Sequence, residues 1–221
     1  MLSGWATLLG AGAVVYAAHK GADTFKQWRR QKNEERRIEL AEQVLTLGYK
    51  LRRAIEGIRS PSMWEGERSE VYAELHKNNL INDQTPIEHM GILATAQAAL
   101  LRSDSYKVLW DELTDTLPSA KAIFGNEIEK ALDEFWTQRY RIFQGAISYA
   151  NIIKRPPART EEGQERQLQR RLEIEAVIWS GKDENGVDTV GDSVNAAIQT
   201  IETELLSIIR SHTPFGTTKR S

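Results

Sequence analysis

The chain contains no cysteine. That absence removes a disulfide framework, a thiolate nucleophile and any zinc or iron–sulfur centre built on sulfur. It fits a reducing compartment without requiring one. Histidine is scarce as well: His19, His76, His89 and His212 are the whole set. None stands three or four residues from another histidine or a glutamate, the spacing that puts two metal ligands on one helical face. Neither a Glu-x-x-His nor a His-Glu-x-x-His motif occurs. Gly181-Lys182 lacks the upstream glycine of a phosphate-binding loop, and there is no Gly-x-Ser-x-Gly elbow for a serine nucleophile. The expectation is a protein that is not an enzyme and carries no cofactor or metal. No stretch alternates apolar and polar residues cleanly enough for a strand, and no repeat of solenoid period stands out.

What is present is charge, unevenly placed. Of the 221 residues, 27% are charged and 40% apolar, ordinary proportions for a folded domain. The net charge of −2 conceals a basic segment, 20–59, with eleven Lys or Arg against six Asp or Glu, and an acidic remainder, 60–221, with eighteen against twenty-five. Such asymmetry points to contact with an anionic surface at the basic end.

Residues 2–19, LSGWATLLGAGAVVYAAH, carry no fixed charge. As a helix they span roughly 27 Å, close to the hydrocarbon thickness of a bilayer. Trp5 and Tyr16 lie near the two ends, where amphipathic rings favour an interface, and Lys20, Lys26, Trp28, Arg29 and Arg30 follow. A cleaved signal peptide needs a basic start and a small-x-small site after the apolar run; neither is in place. An apolar helix buried in a domain or an oligomer is the other alternative. The expectation adopted is a transmembrane signal anchor over 1–19, with the N-terminus outside and the body facing the cytoplasm of a bacterial inner (plasma) membrane. The basic stretch would then touch anionic lipid.

Beyond the anchor, Ile38, Ala41, Val44, Leu45, Gly48, Leu51, Ile55 and Ile58 recur at helical spacing. No proline precedes Pro61, so 20–59 is expected to continue as a long juxtamembrane helix, with Gly21 as the place for a bend. Ser60-Pro61 ends it. A loop and a short helix around Val71, Tyr72 and Leu75 follow. Thr85-Pro86 then reads as an N-cap and first helical position, with Glu88 three residues after the cap. That helix is expected to kink at Ser103–Ser105, and Leu117-Pro118-Ser119 to separate it from a helix over about 119–153. Pro156-Pro157 connects to helices at about 162–179 and 190–211, with a loop over 181–191 between them. Residues 212–221 are expected to be a disordered tail. The fold class is therefore all-α: a membrane helix followed by an antiparallel bundle of about four to five helices spanning 60–211.

Two segments carry a resemblance. Arg52–Pro61, RRAIEGIRSP, and Glu175–Gly181, EAVIWSG, followed by a Gly/Asp loop and a closing helix, look like parts of uncharacterised bacterial all-helical proteins. The resemblance covers under a tenth of the chain and implies an all-helical fold and a bacterial origin. It carries over no functional residues, and Ser180 stands where an acidic residue would fit the pattern better.

Four arginines are candidate anion ligands: Arg139, set within the apolar stripe of the 119–153 helix, with Arg52, Arg53 and Arg59. A buried guanidinium must be paired; the plainer reading of Arg139 is a snorkelling side chain or one buried ion pair. Trp64, in a polar loop beside Met63, is a candidate exposed partner anchor, whereas Trp110, Trp136 and Trp179 read more simply as core. Phe25 and Trp28 among the basic residues would suit nucleic acid, but the acidic body argues for interface anchoring and against a nucleic-acid partner. Two functional readings result. One is a membrane-anchored interaction or scaffold protein with a protein partner or self-association through helix 38–58. The other is a regulatory module that binds a small anion through Arg52, Arg53, Arg59 and Arg139.

Overall fold

The computed structural model describes the backbone of residues 3–154, 156–181 and 186–211. Every regular element among them is helical, as an all-α chain requires. There are seven α-helices: α1 Ser3–Ile58, α2 Glu65–Lys77, α3 Ile87–Ser105, α4 Lys107–Phe124, α5 Asn126–Ala150, α6 Glu161–Ile178 and α7 Thr189–Arg210, with a 3-10 turn at Ile152–Lys154 between α5 and α6. The expected tail, 212–221, lies outside the described residues.

No helix among the described residues is long and apolar enough to cross a membrane. This overturns the single-pass anchor over 1–19, and with it the N-outside, inner-membrane orientation. Length is not the obstacle, because α1 runs without interruption through Gly21. Apolarity is: Ser3, Gly4, Thr7, Gly10, Gly12, Tyr16 and His19 dilute the uncharged stretch, and Lys20 closes it. The side chains of the proposed interface residues Trp5 and Tyr16 lie outside the described residues.

The C-terminal part of α1 is the spine of the bundle. Ala41, Val44, Leu47, Leu51, Ala54, Ile55 and Ile58 are all buried and meet α7, α4, α3 and α5. The apolar stripe of 38–58, expected to bind a partner or a second copy, is thus occupied by the chain's own core. Gly48 explains how closely α7 approaches: a Cβ there would sit 3.2 Å from the Ile198 Cδ1 and 3.3 Å from the Ile201 Cδ1. On α5, Ile128, Leu132, Phe135, Ile142, Ala146 and Tyr149 are buried at helical spacing, so this helix lies at the centre, between α3, α4, α6 and α7. A second cluster, Val71, Leu75 and Ile81 against Leu93, Ala94 and Ala98, seats α2 on the outer side of α3. Helix α3 therefore buries two faces, which accounts for its many alanines.

Three boundaries differ from the sequence reading. The kink expected at Ser103–Ser105 is a full break at Tyr106 between α3 and α4. The break expected at Pro118 does not occur: α4 passes through Pro118 and ends at Gly125, whose φ of 89° and ψ of −169° suit glycine alone. A proline forfeits one hydrogen bond, but buried Leu113 and Ala120 hold the helix on the core on either side of it. Thr85 does not cap α3; its hydroxyl accepts from the Asn82 N–H at 2.9 Å within the preceding turn.

Candidate interaction surface

Residues 24–34 of α1 stand clear of the bundle. Every residue from Thr24 to Glu34 is exposed, and eleven residues make three turns of helix, so no face of this stretch is packed against the domain. Full burial begins at Ala41. This arm is basic: Lys26, Arg29, Arg30, Lys32, Arg36 and Arg37 stand against Glu34 and Glu35. Local contacts support the helix, with Thr24 donating to the Lys20 carbonyl at 3.0 Å and Lys32 to Glu35 at 2.9 Å. The Lys32 hydrogen bond and charge hold the Glu35 carboxyl below its ordinary range. Two large apolar rings ride on the arm in water. Phe25 and Trp28 are each 57% exposed and stack on one another with centroids 5.8 Å apart. The candidate interface residues Lys20, Lys26, Trp28, Arg29 and Arg30 thus share one helix, and no helix among the described residues is long and apolar enough to cross a membrane.

The four candidate arginines do not form one site. Arg59, 2% exposed, closes the C-terminal end of α6. It donates to the carbonyls of Ala176, Val177 and Trp179 at 2.9, 2.9 and 2.6 Å and pairs with Asp188 at 2.8 Å. Asp188 in turn caps α7, accepting from the Gly191 N–H at 3.0 Å. The Ser180 N–H donates to the Arg59 carbonyl at 2.7 Å. The two segments RRAIEGIRSP and EAVIWSG therefore meet in space, and the meeting is a structural joint. Arg52 lies over the Tyr49 ring at 5.6 Å and faces Glu56 at 3.8 Å, while Tyr49 donates to Glu202 of α7 at 2.5 Å. Arg53 is exposed.

Arg139 has a third environment. Its guanidinium packs against the Trp110 and Trp136 rings, 4.9 Å from each centroid, beside a ring pair whose own centroids are 5.6 Å apart, and its Nε donates to the Ser103 hydroxyl at 3.2 Å. Burial lowers its pKa against the opposing pull of Asp104 and Asp111. Its direct contacts are therefore two indoles and a hydroxyl, with Asp104 and Asp111 acting at longer range, rather than one buried ion pair. Trp64, 73% exposed at the start of α2, is on the surface. Trp110 is core, and Trp136 and Trp179 pack against it.

Other residues went unread in the sequence. Arg102 of α3 reaches the C-terminal end of α1, donating to the Ile58, Ser60 and Ser62 carbonyls and pairing with Glu67. Nothing local distinguishes it from any surface arginine. Asp188 did carry a signal, since an Asp just before an apolar helical pattern is a favoured N-cap. Tyr149, Glu175 and Arg171 form a chain in which the tyrosine donates to Glu175 at 2.7 Å and Arg171 donates to the same oxygen at 2.9 Å. Among the described residues no group of three or more acidic or histidine side chains is placed to hold a metal ion. The chain is an all-helical bundle with a protruding basic arm, and no protein-family model, curated protein or solved structure matches it.

Proposed function

We propose that the protein is a non-catalytic scaffold whose basic arm docks on an acidic protein surface, the acidic bundle of a second copy being the surface the chain itself supplies. The observation that carries the reading is the exposure of residues Thr24 to Glu34 on every side. A helix exposed all round is stable when it bridges to something or is laced by its own side chains, and the exposed Phe25 and Trp28 favour bridging. Charge complementarity supports the choice of surface: the arm is basic and residues 60–221 are acidic by a net of seven charges. Phe25 and Trp28 provide apolar anchors at the contact.

Less supports the small-anion reading, because Arg52, Arg59 and Arg139 face different neighbours and do not converge on one place. Sedimentation velocity on the full chain tests the proposal. Association at low ionic strength is expected, weakening as salt rises, and abolished when Arg29, Arg30, Arg36 and Arg37 are changed together to Glu. A chain that stays monomeric at every protein and salt concentration overturns self-docking. Salt-independent association unaffected by the charge reversal overturns the arm as its cause.

A further inference from the structure

A cavity of about 640 Å³ opens where the start of α3, the segment after α5 and the middle of α6 converge. Its volume falls in the range of small-molecule sites. The apolar side is built by Ile92, Ile152 and Ile153, with Pro156 and Pro157 as one wall. That wall is held in place: the Gln167 amide donates to the Pro156 carbonyl at 3.1 Å and accepts from the Ala158 N–H at 3.2 Å.

The opposite rim is cationic. Arg170 is exposed, and no carboxylate of the described residues pairs with it. Arg171 is oriented from behind. Its Nε donates to Glu175 at 2.9 Å, and its guanidinium lies over the Tyr149 ring at 6.0 Å. Across the cavity its Nη1 faces a single carboxylate, Glu88, at 3.5 Å. Glu88 is a weak occupant, because its side chain is 75% exposed and an exposed ion pair at that separation contributes little.

We infer that this cavity is a binding site for a small amphipathic carboxylate, whose apolar body lies on the isoleucine and proline side and whose carboxylate displaces Glu88 from Arg171 and engages Arg170. A carboxylate at charge-assisted hydrogen-bonding distance from a pre-oriented guanidinium outcompetes one held loosely across solvent. The site is separate from the arm, so it stands or falls independently of the docking proposal. It also assigns Glu88 a definite role: the chain's own carboxylate partly neutralises Arg171 and competes with the ligand for it.

The test uses isothermal titration calorimetry on the full chain with phenylbutyrate, its neutral counterpart phenylbutanol, and inorganic phosphate. Saturable binding of phenylbutyrate is expected, with phenylbutanol about tenfold weaker and phosphate weaker still. Arg170→Gln weakens phenylbutyrate severalfold. Glu88→Gln tightens it severalfold, a gain that loss of structure does not produce. The inference is overturned if phenylbutyrate fails to saturate, if phenylbutanol or phosphate binds equally well, or if Glu88→Gln leaves the affinity unchanged or lower.

Discussion

The Arg59 guanidinium lies 2.8 Å from the Asp188 carboxylate while its own side chain is only 3% exposed. One residue thereby ties together the C-terminal end of α1, the last carbonyls of α6 and the N-cap of α7. Removing one member of a buried pair leaves the other uncompensated, at a cost of about 3–5 kcal/mol. Arg59→Met is expected to lose stability of that order in urea denaturation. Arg59→Lys rescues only part of it, because an ammonium cannot reproduce the fork that serves Asp188 and three carbonyls. A loss below about 1 kcal/mol for Arg59→Met would show that the joint is incidental.

The same pair sets an acid limit. Burial acts to raise the Asp188 carboxyl, but the hydrogen bond and charge of Arg59, with the Gly191 and Val190 amides, outweigh it and hold the group below the ordinary carboxylate range. A depressed folded pKa contributes stability that is complete above the unfolded value, about 3.9 for aspartate, and is lost as the pH falls further. The difference in urea midpoint between the native chain and Asp188→Asn should be constant from neutrality to about pH 5 and shrink below about pH 4. A difference that persists undiminished in acid removes the Asp188 charge as its source.

Tyr149 sets the alkaline counterpart. Burial first, then the hydrogen bond to Glu175 and its charge, push the phenol up to about 12. A raised folded pKa contributes stability that is whole below the unfolded value, about 10, and is lost as the pH climbs toward the folded one. Spectrophotometric titration should show a late phase to which Tyr149 contributes together with Tyr49, held up by its hydrogen bond to Glu202, and Tyr149→Phe should reduce its amplitude. An undiminished late phase in the variant would assign it elsewhere.

Beside the Trp110–Trp136 pair, Arg139 replaces a carboxylate partner with two aromatic rings. Cation–π contacts are worth about 0.5–1 kcal/mol at exposed sites and about 2 kcal/mol when desolvated, and Arg139 is half-buried. Arg139→Ala is expected to destabilise the chain by about 1 kcal/mol and to change the intrinsic tryptophan fluorescence. Arg139→Lys should recover only part of this, since an ammonium lacks the planar surface that packs on a ring. An unchanged spectrum and midpoint in Arg139→Ala would refute the contact.

Two glycines should respond in opposite directions. Gly125, at φ 89° and ψ −169°, has open space around a would-be Cβ, so Gly125→Ala suffers the backbone penalty alone, about 1–3 kcal/mol. Gly91 lies inside α3, also with open space, and Gly91→Ala should stabilise by about 0.5–1 kcal/mol. Thermal denaturation of both variants checks the signs.

Periodicity was a good guide wherever a helix buries one stripe. The elements α6 and α7 fall within a residue of their expected limits, and the stripe through Ala41, Val44, Leu51 and Ile55 is buried as spaced. It could not say what covers that stripe; the partner proves to be α7 and its neighbours, which are distant in sequence. The anchor was misread because an uncharged run is necessary for a span but not sufficient, and the glycines, hydroxyls and histidine in 2–19 lower its apolarity. Pro118 was misread because a local breaker was weighed without the packing of Leu113 and Ala120 on either side of it.

The order of apolar residues, the absence of cysteine and of catalytic spacings, and the division into a basic start and an acidic body were determined along the chain, because helical period and net charge are sums over neighbours. Which arginines are structural was decided only by folding. Arg59, Arg102 and Arg139 are alike in sequence, yet one closes α6, one closes α1 and one packs against two indoles. A guanidinium takes its role from the acceptors and rings within a few ångströms, and those are delivered by helices 30 to 130 residues away.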